Sequence, residues 1–127
     1  TLTDRFQRQT QIGVHLHWYG NGPQLNSEQQ LQVVFILQES LSNIRKHSQA
    51  TQVDIRFNNR QDFVMEIEDN GRGFNIERLK EQHSGNHVGL NIMHERAQRI
   101  RAQLSLHSKP GGTRVTLNLP YEERRQV

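Results

Sequence analysis

Apolar residues recur along this chain with two different periods, and the points where the period changes mark its elements. Residues 12–18 (IGVHLHW) alternate apolar and polar, the pattern of a strand with one face against a core. Asn21-Gly22-Pro23 then breaks the chain. Asn26-Ser27 opens a helix, with Ser27 and Gln30 spaced as a capping box, and the stripe Val34, Leu37, Leu41 and Ile44 carries it to about His47. Two alternating strands follow, 52–57 and 63–68, joined by the turn-rich Asn58-Asn59-Arg60-Gln61-Asp62. Residues 76–82 suit a short helix, whereas His83 to Val88 carry Gly85 and Asn86 without an apolar period, which predicts a loop. A further helix is predicted over 89–102, with Leu90, Met93, Ala97 and Ile100 on one face. A hairpin ends the pattern, its strands 103–107 and 114–119 flanking Pro110-Gly111-Gly112. Residues 1–10 read as the end of a helix leading into the domain, with Phe6 placed to pack against the sheet edge. This order predicts an α+β fold: a two-layer sandwich whose helices cover one face of a mixed sheet and leave the other more exposed.

Composition narrows the picture without changing it. A chain of 127 residues and 14.9 kDa fits one domain with one core. Its apolar content of 32% and mean hydropathy of −0.86 are on the polar side, but the apolar residues fall in periodic runs, which argues against disorder. No stretch approaches the ~18 apolar residues of a membrane helix, and Thr1 opens no secretory leader. The first residue is not Met, so the chain is expected to be a piece of a longer protein whose membrane or targeting segments lie elsewhere. With no cysteine there is neither a disulfide nor a thiolate metal site, which suits a reducing compartment. Sixteen Lys and Arg against thirteen Asp and Glu give +3, with a pI near 9.8, and raise the question of nucleic acid. The charges are dispersed, however: Arg56, Arg60, Arg72, Arg78 and Arg114 alternate with acids on different segments. The densest run, Arg96 to Arg101, lies on a predicted helix with an apolar opposite face and reads as a solvated helix surface. A nucleic-acid module would also need an aromatic platform, and most of the eight aromatics read as core.

Three constellations carry candidate chemistry. On the long predicted helix, Glu39, Asn43 and His47 stack one turn apart, with Lys46 beside them. A carboxylate and an amide oxygen are hard ligands of the kind Mg²⁺ accepts, with phosphate oxygens and waters completing its octahedron. The Lys46 ammonium is a mobile charge suited to phosphates. This polar line lies away from the Val34/Leu37/Leu41/Ile44 stripe, so burial in the core is not expected of it, and an ordinary surface row would look the same. The second is Asp69-Asn70-Gly71-Arg72-Gly73-Phe74, directly after a strand. Its glycines allow a sharp turn and a close approach to a flat ligand, and Asp69 can accept a hydrogen bond from an exocyclic amine such as that of adenine. Plain turn chemistry accounts for the same residues, and Ile76 excludes the dinucleotide-binding GxGxxG pattern. The third is Gly85-Asn86-His87-Val88-Gly89-Leu90, a glycine-bearing loop entering a helix, where backbone N–H groups favour phosphate and the glycines permit a lid. A flexible connection with a cap is the plain alternative, and there is no GxxxxGK[ST] of a P-loop. His83 and His87 lack a neighbouring Cys or convergent acid and read as loop residues, not metal ligands.

Taken together, Glu39/Asn43, then Asp69-x-Gly71-x-Gly73, then Gly89-Leu90, then Gly111-Gly112-Thr113 resemble the nucleotide-binding boxes of the ATPase superfamily that includes gyrase, Hsp90, mismatch-repair ATPases and histidine kinases. The resemblance spans about residues 12–120, and the runs QESLSNIRKHSQAT and GLNIMHERA look like sensor histidine kinases of the nitrate/nitrite-sensor and degradation-sensor type. It implies a Bergerat-type fold that binds ATP and Mg²⁺ and donates the γ-phosphate to a histidine. By residue, it implies that Asn43 holds Mg²⁺ with Glu39 nearby and that Lys46 and His47 meet phosphates. Asp69 would bond the adenine amine, Gly71 and Gly73 would shape the adenine wall, and Thr113 would hold the adjacent water network. Gly85 to Leu90, including Gly89, would form the lid and its phosphate end. Glu39 activates water in the hydrolysing members and would orient Mg²⁺ or the acceptor in a kinase. The implied layout is a connector over 1–11 from a dimeric phosphoacceptor helical domain, the catalytic domain over 12–120 and a tail over 121–127. A response regulator is the implied downstream partner, nucleic acid is not expected, and membrane contact would run only through other parts of a bacterial inner-membrane sensor. None of the seven histidines lies in a phosphoacceptor-like helix, so this chain alone is expected to bind ATP without phosphorylating itself. A clamp-type ATP hydrolase is the alternative that Glu39 leaves open.

Overall fold

The computed structural model describes residues 2–20, 24–72 and 85–124, with side chains left out of account at 85–90. Helix α1 (Leu2–Thr10) leads into strand β1 (Gly13–Tyr19), followed by α2 (Ser27–His47), β2 (Gln52–Asn58) and β3 (Phe63–Asp69). Helix α3 (Gly85–Arg99), β4 (Gln103–Lys109), β5 (Gly112–Leu119) and a short α4 (Tyr121–Arg124) complete the described order. The five strands form one mixed sheet in the order β1-β2-β3-β5-β4, with β1 and β2 parallel and the other pairs antiparallel. That is the two-layer α+β arrangement the hydropathy pattern predicts. The parallel seam follows from topology, since α2 is the crossover that returns the chain to lie beside β1 in the same direction.

Alternation along the strands decides which face is covered. Val53 and Ile55 of β2, Phe63, Met65 and Ile67 of β3, and Val115, Leu117 and Leu119 of β5 join Ile36, Leu37, Leu41 and Ile44 of α2 and Met93 and Ala97 of α3 in one core. Phe6 and Ile12 close it beside β1, as expected of the entering helix. The opposite face is polar: Arg56 donates to Glu66 at 2.9 Å and to Glu68 at 3.3 Å, and His17 pairs with Asp54 at 3.2 Å. β1 departs from simple alternation, because Leu16 and Trp18 remain 58% and 60% exposed. It is the edge strand of the sheet, and the helices cover its start more than its end.

The helix boundaries differ from expectation in three instructive ways. The N-cap of α2 is Asn26, whose side chain accepts from Gln29 N while Gln29 Oε1 accepts from Asn26 N, so the capping box sits one residue earlier than the Ser27/Gln30 pair. Both pairings satisfy the spacing, and Asn ranks with Ser as a cap. The buried face of α2 takes Val33, Ile36 and Leu37, leaving Val34 exposed at 46%. Helix α3 begins at Gly85 where a loop was expected up to Val88, so helical propagation from the buried Met93/Ala97 face outweighs the cost of about 1 kcal/mol for an interior glycine. At its other end Arg101, at φ 57°, adopts the left-handed C′ conformation, and Ala102 N donates to Ala97 O at 2.9 Å in the manner of a Schellman cap. The short helix expected at 76–82 and the break at 21–23 lie outside the described residues.

Candidate functional site

Three of the segments singled out in the sequence converge at one end of the sheet, on the side covered by helices. The meeting point is the turn after β3. Asp69, 3% exposed, continues the buried register of Phe63, Met65 and Ile67, which puts a carboxylate where a hydrophobic residue would otherwise stand. Gly71 N donates to its Oδ1 at 2.8 Å, and the Thr113 amide also donates to the carboxylate. Oδ2 is buried and accepts nothing from the described residues. Burial pushes the Asp69 carboxyl above the usual carboxylate range, and the two amide donors oppose that shift. A buried acceptor with a donor missing is what a ligand amine would satisfy.

The two glycines beside Asp69 are there because other backbone comes too close. A Cβ on Gly71 would lie 2.2 Å from the carbonyl oxygen of Ser48, at the end of α2. A Cβ on Gly112, at φ 155°, would lie 2.2 Å from the carbonyl oxygen of Asp69. The turn is thus wedged between the end of α2 and the β4–β5 hairpin. Asn70 ties it to the start of β2, its Oδ1 accepting from Thr51 N and Gln52 N at 3.0 Å each. Thr113, 3% exposed, sits beside it with its hydroxyl 2.8 Å from that of Ser108.

Helix α2 brings the second set. Gln29, Gln32, Ile36, Ser40 and Asn43 form a buried line spaced by steps of three or four, and Ser40 Oγ meets Met93 Sδ of α3 at 3.8 Å. Asn43 is therefore 6% exposed, against the expectation of an unburied polar row. Because α2 is flanked by both the sheet and α3, its buried arc is wider than one apolar stripe. Glu39 and His47 are half-buried and Lys46 is exposed. Among the described residues no group of three or more His, Asp and Glu side chains forms a metal cage. The donor set on α2, one buried amide with a carboxylate a turn away, suits a cation that takes most of its ligands from phosphate and water.

Gly85, Gly89 and Leu90 lie at the start of α3 by their backbone, whereas Gly73, Phe74 and the segment up to residue 84 lie outside the described residues. The structure therefore brings the His47–Ser48 end of α2 against the turn of Asp69 and Gly71 and sets Thr113 beside that turn, with Asn43 and Lys46 in the last turns of the same helix. A depression of about 520 Å³ also opens at this end of the sheet, lined by Asp69, Asn70, Gly112 and Thr113 of the turn and hairpin and, outward from them, by Asp54, Glu68, His107, Lys109 and Arg114. Asp54, Glu68 and Arg114 alternate with Val53, Ile67 and Val115, so the depression opens on the polar face and reaches Asp69 and Thr113 at the sheet's end.

Sequence reasoning missed Ser48 and Arg72. Ser48 is fully buried, and its hydroxyl accepts from Ala50 N at 3.1 Å and donates to Ile44 O at 2.9 Å. Arg72 N donates to Ser48 O at 2.7 Å and its Nε to His47 O at 3.0 Å. The available signal was a serine directly after the basic last turn Arg45-Lys46-His47, where a helix exit is expected.

Comparison with known proteins bears on the family and the fold. The family described as histidine kinase-, DNA gyrase B-, and HSP90-like ATPase matches residues 28–123. The chain is 36% identical over 123 residues to the sensor protein NarQ homolog of Haemophilus influenzae, covering 94% of this chain and 21% of that protein. It is 40% identical over 87 residues to the sensor protein VraS of Staphylococcus haemolyticus, covering 67% of this chain and 24% of that protein. It thus spans under a quarter of the length of these curated relatives. Among solved structures, the histidine kinase domain of the Erythrobacter litoralis blue-light activated histidine kinase superposes with a TM-score of 0.76 at 17% identity, over 96% of this chain and 62% of that one. The Acinetobacter baumannii histidine kinase AdeS gives 0.74 at 17% identity, over 93% and 58%. At such identities these two likenesses speak for the fold.

Proposed function

The chain belongs to the histidine kinase-, DNA gyrase B-, and HSP90-like ATPase family and is an ATP-binding domain of the sensor-kinase type, and from that premise we propose that it presents ATP·Mg²⁺ for transfer of the γ-phosphate to a histidine on a separate helical domain. The observation that carries this reading is Asp69, a buried carboxylate whose Oδ2 is unsatisfied among the described residues, at the end of a strand and beside a turn whose glycine leaves no room for a side chain.

In this reading Asp69 accepts a hydrogen bond from the exocyclic amine of adenine, and Gly71 with Gly73 forms the wall against the ring. Thr113 orders the polar groups beside the base. Asn43 offers its amide oxygen to Mg²⁺, with Glu39 one turn earlier orienting that cation's water or the acceptor. When bound, the cation neutralises charge on the triphosphate. Lys46 and His47 meet phosphate oxygens, and the first turn of α3 at Gly85 offers free backbone N–H groups to the phosphate end, with Gly89 and Leu90 one turn further on. The chain's work is positioning and charge compensation, which is most of what phosphoryl transfer requires. The acceptor's helical domain and a response regulator are its partners, and membrane attachment, where the parent has it, runs through other segments. Residues 1–11 connect to that helical domain, 12–120 are the catalytic unit and 121–127 a tail.

Calorimetric titration with ATP, with and without Mg²⁺, tests this on the wild type and Asp69→Asn. Magnesium-strengthened binding that the substitution weakens by about a hundredfold or more is the expected result, since a hydrogen bond to a buried charge is lost. Absence of ATP binding by the wild type, with or without the helical domain restored, would overturn the reading. Steady-state release of phosphate by this chain alone would favour the clamp-type hydrolase.

A further inference from the structure

We propose that Arg72 is a positioning residue that couples the two ends of the nucleotide site, holding the magnesium-bearing end of α2 in register with the base-binding turn. The proposal rests on the reading of Asp69 and Asn43 as the two ends of an ATP·Mg²⁺ site.

A helix leaves its last four carbonyls without intrahelical partners. In α2, Ser48 N takes Ile44 O at 3.1 Å, and the end of the run is then taken over by a residue far along the chain. Arg72 Nε donates to His47 O at 3.0 Å, and Arg72 N donates to Ser48 O at 2.7 Å. The guanidinium is also a cation at the negative end of a helix dipole. The residue that makes these bonds stands three positions after Asp69, and the helix end that receives them stands one turn after Asn43. Arg72 is thereby a hydrogen-bonded link between the helix that carries Asn43 and Lys46 and the turn that carries Asp69 and Gly71.

The base-binding turn has other supports. Asn70 holds it to Thr51 and Gln52 through three bonds of its side chain, and Gly112 packs against the Asp69 carbonyl. Removing the Arg72 side chain therefore leaves the base subsite and the Arg72 N bond to Ser48 O intact and takes away only the hold on the His47 carbonyl, which loosens the last turn of α2. This division predicts an unequal effect on the two ends of the nucleotide. A residue that only stabilised the fold would not produce it.

The test measures affinity for adenosine, for ATP without Mg²⁺ and for ATP with Mg²⁺, in the wild type, Arg72→Ala and Arg72→Lys. We expect adenosine affinity to stay within about twofold in both variants, while the gain in ATP affinity on adding Mg²⁺ falls by about tenfold in Arg72→Ala, as for groups that orient a metal ligand. Arg72→Lys, which keeps a donor and the charge, is expected to recover part of that gain. An unchanged magnesium gain in Arg72→Ala would overturn the proposal. So would a parallel loss of adenosine and ATP affinity, which marks collapse of the whole turn, or a loss confined to magnesium-free ATP, which marks direct contact of the guanidinium with phosphate. A wild type that binds no ATP would instead overturn the reading of the site itself, so the two failures are distinguishable.

Discussion

At the scale of single residues, the site is a place where stability has been given up. Asp69 occupies a core position, and its raised pKa means the folded protein disfavours its charged form. The sign follows by linkage. Below the carboxyl's ordinary pKa both states are protonated and there is no penalty, and as pH rises through the raised folded value the cost appears and persists to neutrality. Asp69→Asn is accordingly expected to raise the unfolding free energy by about 1 kcal/mol at pH 7 while weakening ATP binding, with the gap closing as pH falls through the carboxylate range. Thermal unfolding followed across pH checks this, and a gap that widened in acid would contradict it. Gly71 is the opposite case, fixed by geometry alone. Gly71→Ala would drive a methyl into the Ser48 carbonyl and is expected to cost about 2–3 kcal/mol in urea unfolding. That Asp69 and Gly71 belong to a tight turn at a strand end could be read from their types and spacing. The roles of Ser48 and Arg72 could not, because they consist of contacts between segments that only the fold brings together.

At the scale of elements, the period of the pattern proved more informative than its phase. Each of the five strands lies where alternation predicts it, to within a residue or two. The phase of α2 was misjudged, because a count of apolar residues selects Val34, whereas a helix wedged between a sheet and α3 also buries Gln32, Ser40 and Asn43. Val33→Ala is therefore expected to cost about 2 kcal/mol and Val34→Ala to stay within about 0.5 kcal/mol, measured by chemical denaturation. Equal effects would mean that the helix is rotated relative to the structure. Polar residues in that buried line are also what a hydrophobicity pattern cannot rank, since it scores Asn43 as surface. The start of α3 was obscured for a related reason: glycines signal a loop locally, and tertiary burial further along the same helix overrides them.

At the scale of the whole molecule, the described residues contain no helix long and apolar enough to cross a membrane, and the proposed function places the acceptor histidine on a separate helical domain. Incubation with γ-labelled ATP is expected to leave the chain unlabelled and to label a histidine once the helical domain is supplied. Labelling of this chain alone would contradict that. One consequence of the sheet order concerns how the molecule assembles. The β4–β5 and β2–β3 pairs are joined by short turns and can zip on the microsecond scale, whereas β1 meets β2 only after the crossover helix has folded back between them. The edge strand is then the last piece to arrive and the first to peel away, with Leu16 and Trp18 contributing little burial to retain it. Peeling would leave the nucleotide-bearing strands paired, but it would bare the Val53–Ile55 edge of β2 to another chain. Opening of the β1–β2 seam is thus a hazard of self-association before it is a loss of ligand binding.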